Sequence, residues 1–172
     1  AAFPYPGRLK GVDSSDLLKL LVDGKTALEK SVGLATANSL IELSLPYNTE
    51  DSLEIMALKA EDRVAMVGFF PPLVKKIQDR GVPLTVIERN PRKAAPLDAA
   101  ERKRALQDCS VAIITATSIL NDTLEDVLND LGTPRHVALL GPSTPMLRSV
   151  FESTKINHLG GALAADADRV LQ

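Results

Sequence analysis

Short apolar runs alternate with helical segments along most of this chain. The runs read "RVAMVGFF", "PLTVIERN", "VAIITAT", "HVALLGPS" and "INHLGG", at residues 63–70, 83–90, 111–117, 136–143 and 156–161. Apolar residues at successive positions indicate strands that are buried on both faces, as in a parallel sheet covered by helices. The pattern therefore predicts a doubly wound α/β fold around a mainly parallel five-stranded sheet.

Helical segments connect these runs. They span residues 72–80, 98–107, 123–131 and 145–152, and a last turn starts at Asp166. Asp98 and Glu101 have the spacing of a capping box, and Asp122 and Glu125 repeat that spacing at the next helix. Thr144 followed by proline is typical of a capped helix start.

Residues 1–27 precede the alternating pattern and are predicted to form an irregular arm and one helix. Asp13 is a suitable N-cap for that helix, and Gly24 would end it. A second helix, at 28–39, carries small residues on one face, so we expect it to pack closely against a neighbour. A third, short helix is predicted at 51–58.

The loops after the strands are expected to meet at one edge of the sheet, because right-handed crossovers place them there. Ligands bind such sheets where the strand order reverses. In the first loop, Pro71 and Pro72 remove backbone donors that a diphosphate would need. We expect Phe69 or Phe70 to give a flat ligand an apolar wall, the alternative being that both rings belong to the core.

Glu88 ends the second strand, about 20 residues beyond Gly68, which is the spacing at which dinucleotide folds hold a ribose diol. A carboxylate at this position can accept hydrogen bonds from vicinal hydroxyls or hold a cation. The alternative is a surface ion pair with Arg89 or Arg92.

Neutral polar residues follow the third and fourth strands. Thr115, Thr117 and Asn121, with Ser118 between them, could fix a heterocycle or a polyol without demanding a charge. Ser143 and its neighbour Thr144 offer N–H groups and hydroxyls to an anion, although helix capping is the alternative for the threonine.

Composition narrows the classes of function. Hydrophobic residues make up 45% of the chain and charged residues 24%, as in globular domains. The formal net charge of -2 creates no positive field, so we expect neither nucleic acid nor a membrane as a partner. The single cysteine, Cys109, excludes an internal disulfide and fits the cytoplasm. No apolar run is long enough to cross a bilayer, and we see no leader at the start of the chain.

Catalytic motifs are scarce. His136 begins a strand at the edge opposite the loops, and His158 lies within the last strand, so we expect structural roles for both. Glu88, Cys109, Asp122 and His158 could hold a metal only as a scattered site, because no two of them have ligand spacing within one element.

The strand and loop segments resemble, in order, the signature segments of a bacterial and archaeal family described as the putative heavy-metal chelation domain. These segments read "VAMVGFFPPLV", "LTVIERNP", "VAIITATSILNDTLEDVL" and "VALLGPSTPML". "LEKSVGLATANSLIE", at 28–42, resembles the helix that introduces the domain. The resemblance implies a Rossmann-like three-layer sandwich at 28–172. It also implies a smaller upstream domain that is similar to the N-terminal part of enolase. Residues 1–27 are a candidate remnant of that domain.

The resemblance implies a small-molecule binding protein whose ligand is a metal chelate or an enediol, pterin-like or flavin-like molecule. Where the family often has glycine between the asparagine and the threonine of the third loop, this chain has Asp122. The implied metal residue is Glu88. The implied ligand contacts are Gly68, Phe69, Phe70, Glu88, Asn90, Thr115, Thr117, Asn121, Thr123, Gly141, Pro142, Ser143 and Thr144.

Two other functions stay open. One is an enzyme that uses a nucleoside cofactor such as S-adenosylmethionine, which lacks the diphosphate that the first loop is unsuited to hold. The other is a structural domain that associates with a partner domain or with a second copy of itself as a homo-oligomer.

Overall fold

A computed structural model describes residues 7–42 and 47–163, and its strands form one five-stranded sheet. The strands are β1 (Val64–Val67), β2 (Leu84–Ile87), β3 (Val111–Thr115), β4 (His136–Leu140) and β5 (His158–Gly160). Their order is β2-β1-β3-β4-β5, and every neighbouring pair is parallel. The predicted α/β fold is confirmed, and the strand order reverses between β1 and β3, where doubly wound folds bind ligands.

Seven α-helices are described in these residues. They are α1 (Ser14–Asp23), α2 (Ala27–Ser39), α3 (Ser52–Met56), α4 (Pro71–Asp79), α5 (Ala99–Asp108), α6 (Thr117–Leu120) and α7 (Leu124–Asp130). None of the described helices has both the length and the apolar character needed to cross a membrane. The predicted last turn from Asp166 lies outside the described residues.

Two hydrophobic cores enclose the sheet, because successive strand residues face opposite sides. In β3, Ala112 and Ile114 belong to the core under α5 and α7, whereas Val111 and Ile113 belong to the core under α3 and α4. Each of these four side chains is fully buried. The sheet is therefore the middle layer of a three-layer sandwich.

The helix α5 starts as the sequence predicts. The Asp98 carboxylate accepts from the backbone N–H of Glu101, and the Glu101 carboxylate accepts from that of Asp98, which completes the capping box.

The predicted capping box of Asp122 and Glu125 is wrong. Helix α7 begins after Thr123, which makes no side-chain capping bond. Asp122 has the left-handed φ of 52°, and its carboxylate forms an ion pair with Lys30 of α2. The backbone turn and a partner distant in sequence thus determine the role of Asp122.

The helix predicted at 145–152 is also wrong. Within that range the structure has a 3-10 turn at Arg148–Phe151. Thr144 does not cap a helix, because it is only 2% exposed and its hydroxyl donates to the carbonyl of Gly160 at 2.9 Å. This residue instead joins the loop after β4 to the end of β5.

Helices α1 and α2 form a close antiparallel pair. A Cβ on Gly33 would lie 2.2 Å from the backbone nitrogen of Leu21, so glycine is required where the two helices meet. This confirms the close packing expected from the small face of α2. Thr26 and Glu29 make a capping box at the start of α2.

Candidate functional site

A cleft of about 670 Å³ opens at the carboxyl ends of β1, β2 and β3. It lies beside the reversal of strand order, where the helices that follow β1 and β3 leave towards opposite faces of the sheet. The residues predicted as ligand contacts that line it are Gly68, Phe69, Phe70, Glu88, Thr115, Thr117, Asn121 and Thr123.

Gly68 shapes the loop after β1. Its φ is 93°, and a Cβ on it would lie 2.9 Å from Cγ2 of Thr115. Its N–H donates to the carbonyl of Ile87 at 2.9 Å, which ties the end of β1 to β2. Glycine is therefore needed here both for the backbone conformation and for close packing against β3.

The two phenylalanines after β1 have different surroundings. Both are half-buried and line the cleft, but Phe70 also packs against the core that contains Met56 and Ile77. Among the described residues, Phe69 belongs to neither core. Phe69 is thus the ring that a ligand could contact without disturbing the core.

Glu88 lies at the end of β2 and shapes the turn that follows. Its Oε1 accepts from the N–H groups of Arg89 and Asn90 at 2.8 and 3.0 Å. Within the described residues it forms no ion pair with Arg89 or Arg92. These hydrogen bonds use one carboxylate oxygen and leave the other for a ligand.

Asn90 does not line the cleft. It is exposed, and its Oδ1 accepts from the N–H of Arg92 at 3.0 Å. Its position in the structure is that of a turn-stabilising residue next to Glu88.

Hydroxyl groups gather at the carboxyl end of β3. Oγ1 of Thr115 and Oγ1 of Thr117 lie 3.0 Å apart, and either can donate. Ser118 also lines the cleft, is 2% exposed, and its Oγ has no hydrogen-bond partner in the described part of the chain. This part of the cleft can therefore both donate and accept hydrogen bonds without carrying a charge.

Charged side chains at the cleft were not predicted as ligand contacts. Arg89, Lys93 and Arg102 line it from the β2–α5 connection and α5, and Asp126 and Asp130 line it from α7. The sequence signal that was missed is the spacing of the two aspartates, four residues apart on one helical face and next to Val127 of the same cleft.

The loop after β4 does not line this cleft. Gly141, with a φ of 134°, donates its N–H to Gly160, and the carbonyl of Ser143 accepts from Nδ2 of Asn38 at 3.0 Å. Gly141 and Thr144 therefore bond to β5 and Ser143 bonds to α2, and none of these residues or Pro142 lines the cleft.

The residues considered for a scattered metal site lie apart. His158 Nε2 is 3.1 Å from the Ser52 hydroxyl, and burial, followed by the charge of His136, lowers the pKa of His158. Burial raises the pKa of the Cys109 thiol, which donates to the carbonyl of Leu106. Among residues 7–42 and 47–163, no three His, Cys, Asp or Glu side chains are grouped to hold a metal ion.

Comparison with known families agrees with this fold. The model of DUF364, described as "Putative heavy-metal chelation", matches residues 51–172. An uncharacterised protein of Methanocaldococcus jannaschii is 27% identical over 158 residues, which cover 88% of this chain and 61% of that protein. The chain thus spans less than two thirds of the length of this relative.

Two solved structures of DUF364 proteins of unknown function share the architecture. The protein from Pyrococcus horikoshii matches with a TM-score of 0.79 at 20% identity, over 99% of this chain and 74% of its own. The protein from Desulfitobacterium hafniense DCB-2 matches with a TM-score of 0.80 at 23% identity, over 99% of this chain and 72% of its own. At such identities the likeness establishes the fold.

Proposed function

Since this chain belongs to the DUF364 family, whose description is "Putative heavy-metal chelation", we propose that its cleft binds a small planar or polyhydroxylated molecule, including a metal chelate. The observation that carries the proposal is the meeting of three loops, distant in sequence, in one cleft at the reversal of strand order. Pterin-like, flavin-like and enediol ligands all belong to this class.

Each loop has its own role in this proposal. Phe69 supplies the flat face, because its ring lines the cleft without belonging to either described core. Thr115, Thr117 and Asn121 hold the polar edge of the ligand. Glu88 accepts hydrogen bonds from vicinal hydroxyls through the oxygen that its own turn does not use.

A metal fits this cleft as part of a chelate. Glu88 can contribute one oxygen, while the remaining donors come from the chelating molecule, since the described residues offer no cluster of three metal ligands. The anionic groups of such a chelate would face Arg89, Lys93 and Arg102. Ser143 and Thr144, which the sequence suggested for an anion, line no part of this cleft.

Calorimetric titration tests the proposal. Ferric catecholate, molybdate, neopterin and riboflavin would be titrated into the wild-type protein, Glu88→Gln and Glu152→Gln. We expect at least one probe to bind, with affinity about 10-fold lower for Glu88→Gln because a charged hydrogen bond is lost. Glu152→Gln is the matched control, because Glu152 is exposed and does not line the cleft.

Two outcomes would count against the proposal. Equal binding by the wild type and Glu88→Gln would remove Glu88 from the site. Binding of no probe to the wild type would remove these ligand classes from the cleft.

A nucleoside cofactor is the second candidate. Glu88 at the end of β2, beside the loop of Gly68, has the position from which a carboxylate holds a ribose diol. Pro71 and Pro72 occupy the first two positions of α4 and cannot donate to a diphosphate. S-Adenosylmethionine should therefore raise the thermal midpoint in a shift assay and NAD should not; a clear shift with NAD would refute the argument from the prolines.

A further inference from the structure

Ser118 is the buried hydroxyl at the wall of the cleft. It lies in α6, is 2% exposed, and its Oγ has no hydrogen-bond partner within the described residues. Thr115 and Thr117, which line the same cleft, pair their hydroxyls with each other at 3.0 Å. Of these three hydroxyl-bearing residues, Ser118 is thus the one whose hydroxyl lacks a partner among the described residues.

An unpartnered buried hydroxyl destabilises the folded protein, because the group loses its hydrogen bonds to water and gains none in return. Alanine would fill the same space on α6 without that penalty. Polar groups of this kind are expected where a ligand completes the hydrogen bond. Ser118 lines the cleft while its Oγ is itself buried, so rotation of the side chain about χ1 would bring the hydroxyl to a partner in the cleft.

We propose that the Ser118 hydroxyl is a specificity-determining contact, kept unpaired in the free protein, which receives an uncharged hydrogen-bonding group of the ligand. This proposal rests on the proposed function of the cleft. The group is uncharged, such as a ring carbonyl or a ligand hydroxyl, because the hydroxyls around it offer no counter-charge and transfer of an ion to a buried place is unfavourable. Serine can donate to a carbonyl and accept from a hydroxyl.

Thermal unfolding of the free protein tests the first half of the proposal. Ser118→Ala should leave the midpoint unchanged or raise it by about 2–4 °C, because an unsatisfied polar group is removed. Ser110→Ala is the matched control: the Ser110 hydroxyl donates to Asp62 at 2.7 Å and accepts from the N–H of Arg63 at 3.0 Å. Its removal should lower the midpoint by about 2–4 °C. A lower midpoint for Ser118→Ala would show that Ser118 has an internal partner and would overturn the proposal.

Ligand binding tests the second half. With whichever of neopterin, riboflavin and ferric catecholate binds the wild type, Ser118→Ala should bind about 10-fold more weakly. Ser118→Cys, a weaker donor of similar shape, should have intermediate affinity, and Ser110→Ala should bind like the wild type. The affinity ratio between wild type and Ser118→Ala should be the same at about 0.05 and 0.5 M salt, because the contact is uncharged.

The results separate the two proposals. If the wild type binds a probe and Ser118→Ala binds it equally well, the Ser118 contact is refuted while the cleft remains a binding site. A ratio that falls with salt would refute the uncharged group. If the wild type binds no probe, the proposed function fails and the Ser118 contact fails with it.

Discussion

The two edges of the sheet satisfy their polar groups in different ways. At the amino edge, Asp62 precedes β1, Ser110 precedes β3 and Arg135 precedes β4. Asp62 is buried, and its carboxylate accepts from the Ser110 hydroxyl at 2.7 Å, from the N–H of Lys59 at 2.8 Å and from the Arg135 guanidinium. Arg135 also donates to the carbonyls that end α3. In this amino-edge network, Asp62, Ser110 and Arg135 thus each make at least one hydrogen bond to another loop.

Around the cleft at the carboxyl edge, the described residues form no such network between loops. Ser118 Oγ is unpartnered in the described residues, and one oxygen of Glu88 is not used by the turn it stabilises. Gly68, which lines the cleft, and Asp122, which lies between the lining residues Asn121 and Thr123, both have positive φ angles. The difference teaches that variants at the amino edge should change stability, whereas variants at the carboxyl edge should change binding.

The largest effect should follow Asp62→Asn, which breaks the amino-edge network. The change should lower the free energy of unfolding by about 3 kcal/mol, because it removes the charge of a buried carboxylate and weakens the several hydrogen bonds that this carboxylate accepts. Urea unfolding measures this loss. Glu54→Gln, in an exposed ion pair with Arg80, is the control and should cost no more than about 0.5 kcal/mol. Equal losses for the two variants would remove the distinction between the edges.

Gly68→Ala should cost about 2 kcal/mol and also abolish binding, since the variant combines a left-handed φ with a clash against Thr115. Gly81→Ala is matched to it: Gly81 has a φ of 68° but no atom within 4 Å of an added Cβ. That control should lose about 1 kcal/mol and bind normally. A Gly68→Ala protein that binds as tightly as the Gly81→Ala protein would disprove the role of close packing at the cleft.

Lowering the pH should destabilise the folded protein by protonating Asp62 at the amino edge. The hydrogen bonds from Arg135, above all, hold the pKa of Asp62 well below its usual range. The folded pKa lies below the unfolded one, so this stabilisation is present above about pH 4 and is lost as the pH falls. The free energy of unfolding of the wild type should fall by about 1–2 kcal/mol by about pH 2 through this group. Asp62→Asn has no carboxylate at this position, so its free energy of unfolding should not show this decrease. Urea midpoints across pH measure it; parallel curves for the two proteins would contradict it.

The smallest effect should come from Asp122→Gly. Glycine relieves the left-handed conformation, whereas the variant loses an exposed ion pair with Lys30, so the net change should stay within about 0.5 kcal/mol. Lys30→Met removes the ion pair alone and should be slightly less stable than Asp122→Gly. Chemical denaturation of the three proteins gives the order, and a loss above about 1 kcal/mol for Asp122→Gly would show that the ion pair dominates.

Much of the fold could be predicted, because its signals are local. The apolar runs that became β1, β3 and β4 are buried on both faces, and this burial requires successive apolar residues. The capping box of Asp98 and Glu101 depends on residues three apart in one helix. The parallel order then placed Gly68, Glu88 and Thr117 at one edge.

The parts that could not be predicted depend on contacts distant in sequence. Asp122 has the sequence spacing of a helix N-cap. Its carboxylate does not cap a helix, however, because it pairs with Lys30 of another helix. Thr144 has the local pattern of a helix start, yet its hydroxyl bonds to Gly160 of another strand. The burial of Ser118 likewise results from packing of its short helix, and the neighbouring threonines gave no sign of it.

The outer strands of the sheet have a consequence for self-association. β2 has four residues and β5 has three, so each exposes only a short row of backbone groups to another molecule. Short outer strands are poor templates for continuing a sheet from one molecule into the next, and proteins use them to avoid aggregation. Among the described residues, neither outer strand is therefore suited to joining two sheets into one.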